Sequence, residues 1–187
     1  MNARKISDTI IATGAAPVLK ASGFAKHDLN FHRRKGSVVQ VMNFQRSIDN
    51  RGGDNVFFVN VGVAFDDLWK LQGIDLNGSM RKHLDAPLEH ECHFRSRLEN
   101  LVINCPRWWI VSEGNAALFQ ETSQSNGREI ATNADEATKV AEFLADCIQR
   151  AIIGLNQIDS SKSFLNHHWK DVSGNQGVIQ QLISINK

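Results

Sequence analysis

Apolar side chains occupy every second position at Phe57, Val59, Val61, Val63 and Phe65, the clearest period-two run in the chain. Alternation of this length predicts a β-strand with one covered face. The intervening Phe58, Asn60, Gly62 and Ala64 form a mixed, less apolar face. Upstream, Val38 to Gln45 is β-rich, with Val39 and Val41 on one side and Met42 and Phe44 on the other. Asn30 to Arg34 reads as a preceding strand, joined through the turn Lys35-Gly36-Ser37. The cluster Asn50-Arg51-Gly52-Gly53-Asp54 supplies turn chemistry between the two longer runs. Such short connections imply hairpins and antiparallel pairing. Arg107 to Val111 reads as another strand, which would send the adjacent Trp108 and Trp109 to opposite faces.

Period-three and period-four patterns flank these strands. Ile6, Ile10 and Ile11 predict a short amphipathic helix within residues 4–13. Pro17 fits the start of a second helical turn that closes at Gly23, with Phe24 folding back onto Leu19 or Val18. Thr132-Asn133 then caps a long amphipathic helix carrying Val140, Leu144, Cys147, Ile148 and Ala151 and ending near Gly154. A weaker helical pattern spans Gln176 to Ile185. Residues 66–90 read as a long irregular loop, broken by a helical turn at Leu68 to Leu71. Strands enclosed between terminal helices predict an α+β fold. We expect a single domain over residues 1–187, an antiparallel sheet of about four to six strands packed against N-terminal and C-terminal helices.

Composition narrows the function classes. Of 187 residues, 42% are hydrophobic and 22% charged, which is ordinary for a globular chain. A formal charge of +1 argues against nucleic acid as a partner. Three cysteines, Cys92, Cys105 and Cys147, without a CxxC pair, argue for reduced thiols. The charged start Met1 to Asp8 is followed by no apolar signal segment, and no run approaches the ~18 apolar residues of a membrane span. The expectation is a cytoplasmic protein without a membrane partner.

Candidate chemistry is sparse. Glu89-His90-Glu91-Cys92-His93 has metal-ligand types, but its spacing matches neither CxxC nor HExxH, so no metal and no cofactor are expected. No GxSxG and no phosphate-binding glycine loop occurs, and the reading leans away from an enzyme. Asp66, Asp67 and Asp75 read as solvated loop carboxylates, and His32-Arg33-Arg34-Lys35 as a solvated hairpin end without base-stacking aromatics. Arg95 and Arg97, two apart on a strand, share a face and could hold a carboxylate or phosphate. The competing expectation is pairing with the domain's own carboxylates. Trp108 or Trp109, beside arginines, has the composition of an interaction hot spot if exposed.

Several segments recur together. These are Pro17-Val18-Leu19-Lys20 with Gly23-Phe24 and Lys26, Asn30-Phe31, and Val41-Met42-Asn43-Phe44-Gln45-Arg46-Ser47. Phe58-Val59, Val61-Gly62-Val63, Cys92-His93-Phe94-Arg95-Ser96-Arg97-Leu98 and Trp108-Trp109 complete the set. In this order they resemble a bacterial family catalogued only as domain of unknown function 4304. The family has no assigned activity, so the resemblance carries over no catalytic residue. Its polar positions here are Asn43, Gln45, Arg95 and Arg97, which would line a polar face of the sheet with a tryptophan at its edge. An internal hydrogen-bond network that fixes strand pairing is the alternative for the same residues. The expected function is a non-catalytic binding domain with a protein partner. By fold-level analogy, one version is an immunity protein that neutralises a toxin. The other reading is a small hydrolase or nucleotide-handling enzyme, with Arg95 and Arg97 clamping an anion and His93 or a loop aspartate as base.

Overall fold

The computed structural model describes residues 2–48, 50, 53–77, 81–112, 115–119, 128–131, 134–172 and 174–187, with backbone only at 81–82, 112, 115–119, 128–131 and 134–136. Helix α1, Ala3–Ile10, starts where the Asn2 side chain accepts the Lys5 N–H at 2.9 Å. It widens into a π-helical turn, Ile11–Ala15, and continues as α2, Ala16–Ala21. Pro17 in the first turn of α2 explains the widening. It has no N–H to give back, and its ring crowds the preceding turn. The two expected helical pieces are therefore one bulged run. Gly23 ends it at φ +83°, the left-handed conformation that only glycine takes without strain.

Eight strands are described: β1 Ala25–His27, β2 Asn30–Lys35, β3 Val38–Arg46, β4 Asp54–Phe65, β5 Phe94–Arg97, β6 Trp108–Ser112, β7 Asn115–Phe119 and β8 Arg128–Ala131. Their order is β1-β2-β3-β4-β6-β7-β8, with β5 pairing β4. The pairings β1–β2, β2–β3, β4–β6, β6–β7 and β7–β8 are antiparallel. Lys35 opposite Val38 leaves a two-residue turn at Gly36 (φ +57°) and Ser37. The remaining helices are α3 Asp66–Leu71, α4 Arg81–Asp85, α5 Ala134–Leu155, α6 Ser161–Leu165 and α7 Gln176–Ile185. This is the α+β arrangement read from the sequence. The Thr132-Asn133 cap and the centre of the Asn50 to Asp54 turn lie outside the described residues. Among the described residues no helix is long and apolar enough to cross a membrane.

The chain condenses into two compact units. The first comprises Met1–Gly23, Phe44–Val59 and Arg97–Ala151. Its aromatic centre is Phe57, stacked on Trp109 with ring centres 5.9 Å apart and tilted against Phe44 at 6.3 Å. Helix α5 passes so close to the π-turn that a Cβ on Gly14 would lie 2.3 Å from the Ala141 carbonyl oxygen. The Ser7 hydroxyl donates to the buried Asn55 side chain at 2.8 Å.

The second unit comprises Phe24–Asn43, Asn60–Ser96 and Ile152–Lys187. Phe65, Phe94, Phe164 and Trp169 fill one side of its sheet. The opposite side, read as the less apolar face of β4, is covered too. Val39, Val41 and Ala64 pack with Trp69, Leu76, Leu84 and Cys92. The segment expected as loop thus folds into α3, α4 and a 3-10 turn at Glu89–Glu91, and it covers this face. Gly62 makes room for it, because a Cβ there would meet Cys92 Sγ at 2.6 Å.

The basic run at the end of β2 is paired rather than solvated. Arg34 forms ion pairs with Asp66 at 2.8 Å and Asp85 at 2.6 Å. Lys35 donates to the Asn156 carbonyl. Arg33 donates to Gln40 Oε1 and to Asn156 Oδ1, both at 2.8 Å. Gln40 is fully buried, and its Nε2 donates to the carbonyls of Leu155 at 2.8 Å and Ile158 at 2.6 Å, past the last helical hydrogen bonds of α5. Replacing Gln40 by Ala removes the side-chain donor to the Ile158 carbonyl and leaves the Leu155 carbonyl with the Ile158 N–H at 3.0 Å. We expect Gln40→Ala to lower unfolding free energy by about 2–4 kcal/mol, read from urea midpoints.

Candidate functional site

The residues singled out in the sequence divide between the two units, Asn43 and Arg95 in the second and Gln45, Arg97, Trp108 and Trp109 in the first. In the second unit, the Nε of Arg95 donates to Glu89 Oε1 at 2.9 Å, and Nη2 reaches Oε2 at 3.3 Å. This hydrogen bond holds the guanidinium above its ordinary pKa. The backbone of Arg95 is held as well. The Asn175 side chain accepts its N–H and donates to its carbonyl, both at 3.3 Å.

Asn43, also in the second unit, belongs to a chain of carboxamides. Its Nδ2 donates to Asn30 Oδ1 at 2.8 Å, and Asn60 Nδ2 donates to Asn43 Oδ1 at 3.2 Å. The chain ties β2, β3 and β4 together, with Asn30 and Asn43 directly opposite in register. Gln45 lies on the exposed end of β3, in the first unit.

A ladder of cations and rings forms on one sheet face of the first unit. The guanidinium of Arg97 sits 4.2 Å over the centre of the Phe58 ring. Phe58 meets Trp108 edge-on, with ring centres 6.1 Å apart and planes at 75°. Arg107 lies 5.7 Å over Trp108. Trp108 is 37% exposed whereas Trp109 is 1% exposed, so the adjacent tryptophans do face opposite ways. Glu99 shares this neighbourhood. Burial pushes its carboxyl above the usual range, against the pull of Arg97 and Arg107. Arg97 and Trp108 were legible as site candidates in the sequence, whereas Phe58, Arg107 and Glu99 were not. The available signal was Phe58 itself, an aromatic on the mixed, less apolar face of β4.

The metal-ligand types near residue 90 go to different partners. Glu89 binds Arg95, Glu91 accepts from His83 at 2.9 Å, and Cys92 is buried beside Gly62, where desolvation raises its thiol pKa. His93 Nδ1 accepts the Phe65 N–H at 3.0 Å while its ring packs on Trp69 at 5.5 Å. Among the described residues no three His, Cys, Asp or Glu side chains converge as a metal site. Of the loop carboxylates, Asp66 pairs with Arg34, Asp67 accepts from Ser161, and Asp75 accepts the Asn77 N–H.

The family described as Domain of unknown function (DUF4304) matches residues 15–144, and the chain belongs to it. No curated protein and no solved structure matches the chain.

Two histidines give the fold a pH dependence. Burial holds His93 at about 4, and burial together with His168 holds His167 at about 4, against an ordinary value of 6.5. Between these values the unfolded chain binds more protons than the native one, so stability rises with pH across the window. The contribution is complete above pH 6.5 and is lost as pH falls toward 4. Urea unfolding at stepped pH should show this slope. His93→Asn, which keeps an acceptor for the Phe65 N–H, should flatten it.

Proposed function

We propose that this family member is a non-catalytic cytoplasmic binding domain whose protein partner docks on the Arg97–Phe58–Trp108–Arg107 ladder. The observation that carries the reading is the state of Trp108. It is partly open to solvent, yet packed against both the Phe58 ring and the Arg107 guanidinium. A large ring fixed before contact loses little conformational freedom when covered. Tryptophan and arginine are also the residue types that dominate binding energy at the centres of protein interfaces. Guanidinium groups stacked on these rings also keep hydrogen-bond donors that a carboxylate on a partner can meet. In its concrete form the partner is a toxin and the domain an immunity protein encoded beside it.

The alternative, a hydrolase with an arginine anion clamp, draws less support. Arg95 already holds both oxygens of Glu89. The His93 lone pair at Nδ1 is occupied by the Phe65 N–H, so its Nε2 carries the proton and is not a base. Substrate would have to break both arrangements first.

Titration calorimetry against the product of the adjacent gene tests the proposal. Wild-type protein should bind, and Trp108→Ala should weaken binding at least about 30-fold, the effect of a hot spot of about 2 kcal/mol. Thermal unfolding of the variant should stay close to wild type. A neighbouring product that does not bind the wild-type chain rules out the immunity form, and an unchanged affinity in Trp108→Ala removes the ladder as the docking face.

A further inference from the structure

Trp108 anchors the proposed docking face, but the sheet alone does not fix its ring. It is the first residue of β6 and 37% exposed. In strands two χ1 wells are common, and a side chain that is not enclosed can visit both. The rings and cations beside Trp108 therefore set its orientation. Phe57 and Trp109 lie directly opposite in the β4–β6 register, which puts Phe58 next to Trp108 on the other face. The two rings meet at 6.1 Å with planes at 75°. Phe58 is itself only half-buried, so it needs a fixed neighbour before it can hold another ring. Strand β5 also pairs β4 and ends at Arg97, whose guanidinium lies 4.2 Å over the Phe58 ring.

The two arginines of the ladder are placed differently. Arg107 is exposed and lies 5.7 Å over Trp108. Arg97 is half-buried, and its Nη1 is sealed from water. We infer that Arg97 is a positioning residue of the docking face, whose effect on the partner runs through Phe58 and Trp108 and not through a contact of its own. The inference rests on the docking reading above, and it narrows the contact members of the ladder to Trp108 and Arg107.

The physical basis is a cation held against a ring in a partly desolvated place, where this attraction is stronger than at an open site. Removing the cation gives Phe58 more freedom, and Phe58 then restrains Trp108 less. A partner that needs one orientation of the indole meets it for a smaller fraction of the time, and apparent affinity falls by that fraction. With the ring competent about one fifth of the time, Kd rises about fivefold. A direct contact would act differently, because its loss weakens binding whether or not Trp108 is present.

The test joins a measurement on the free chain to one on the complex. The full chain is labelled with fluorotryptophan, and the Trp108 signal among its four tryptophans is assigned in the fluorine NMR spectrum with Trp108→Phe. In Arg97→Met that signal should broaden or move toward its position in the urea-unfolded chain. The Trp69, Trp109 and Trp169 signals should stay in place, which separates lost positioning from lost fold. Arg97→Lys, which restores a cation, should bring the signal part of the way back. Phe58→Leu should release Trp108 in the same way, and it supplies the readout if Arg97→Met does not fold. In calorimetry against the product of the adjacent gene, Arg97→Met should raise Kd about fivefold alone and leave it unchanged in the Trp108→Ala background. A Trp108 signal that neither Arg97→Met nor Phe58→Leu moves overturns the inference, as does a further loss of affinity from Arg97→Met in the Trp108→Ala chain. If the product does not bind the wild-type chain, the docking reading falls, and the fluorine spectra still decide whether Arg97 positions the ring.

Discussion

A strand buried on both faces needs cover from two directions, and β4 is such a strand from Asn60 to Phe65. Its odd-numbered side chains carry the aliphatic run seen in the sequence. Its even-numbered ones shrink to Gly62 and Ala64, which leaves room for Cys92, Trp69 and Leu84. Small residues on the second face are thus a packing device and not a sign of solvent. The same burial requires every polar group inside to find a partner. Asn60 meets Asn43, Gln40 meets the end of α5, and His93 takes the Phe65 N–H. Specific pairing of these amides and this imidazole gives the second unit one register, where an apolar face alone would tolerate several.

Local periodicity was enough to recover β2, β3, β4, β6, the long helix α5 and α7, because each carries its own pattern. The cover over Val39 and Val41 was not recoverable in this way. Residues 66–92 hold too few apolar positions in sequence to show a face, and Trp69, Leu76, Leu84 and Cys92 act together only once folded. Charge was misread for a related reason. Arg33 and Arg34 look solvated beside a turn, yet Asp66, Asp85 and Asn156 lie 32, 51 and 123 positions away. At the candidate site, the opposed tryptophans followed from strand geometry. Phe58 did not stand out because its neighbours on that face, Asn60, Gly62 and Ala64, share no single character.

Part of the charge of this nearly neutral chain is engaged internally. Arg34, Arg46, Arg95 and Arg150 each hold an aspartate or glutamate. Partly buried pairs of this kind fix geometry more than they add stability, since desolvation offsets much of the attraction. Cations stacked on aromatic rings, at Phe58 and Trp108, therefore give the ladder a chemical character that formal charge does not reveal.

The Asn175 carboxamide beside β5 has a consequence for how other chains can meet the sheet. By accepting the Arg95 N–H and donating to its carbonyl, one side chain imitates a neighbouring strand. Main-chain groups that could template an incoming β-strand are occupied at that position, so edge-to-edge zippering is blocked there. The protection is local and comes from a single amide just ahead of α7, which ties resistance to strand addition at β5 to the seating of the C-terminal helix.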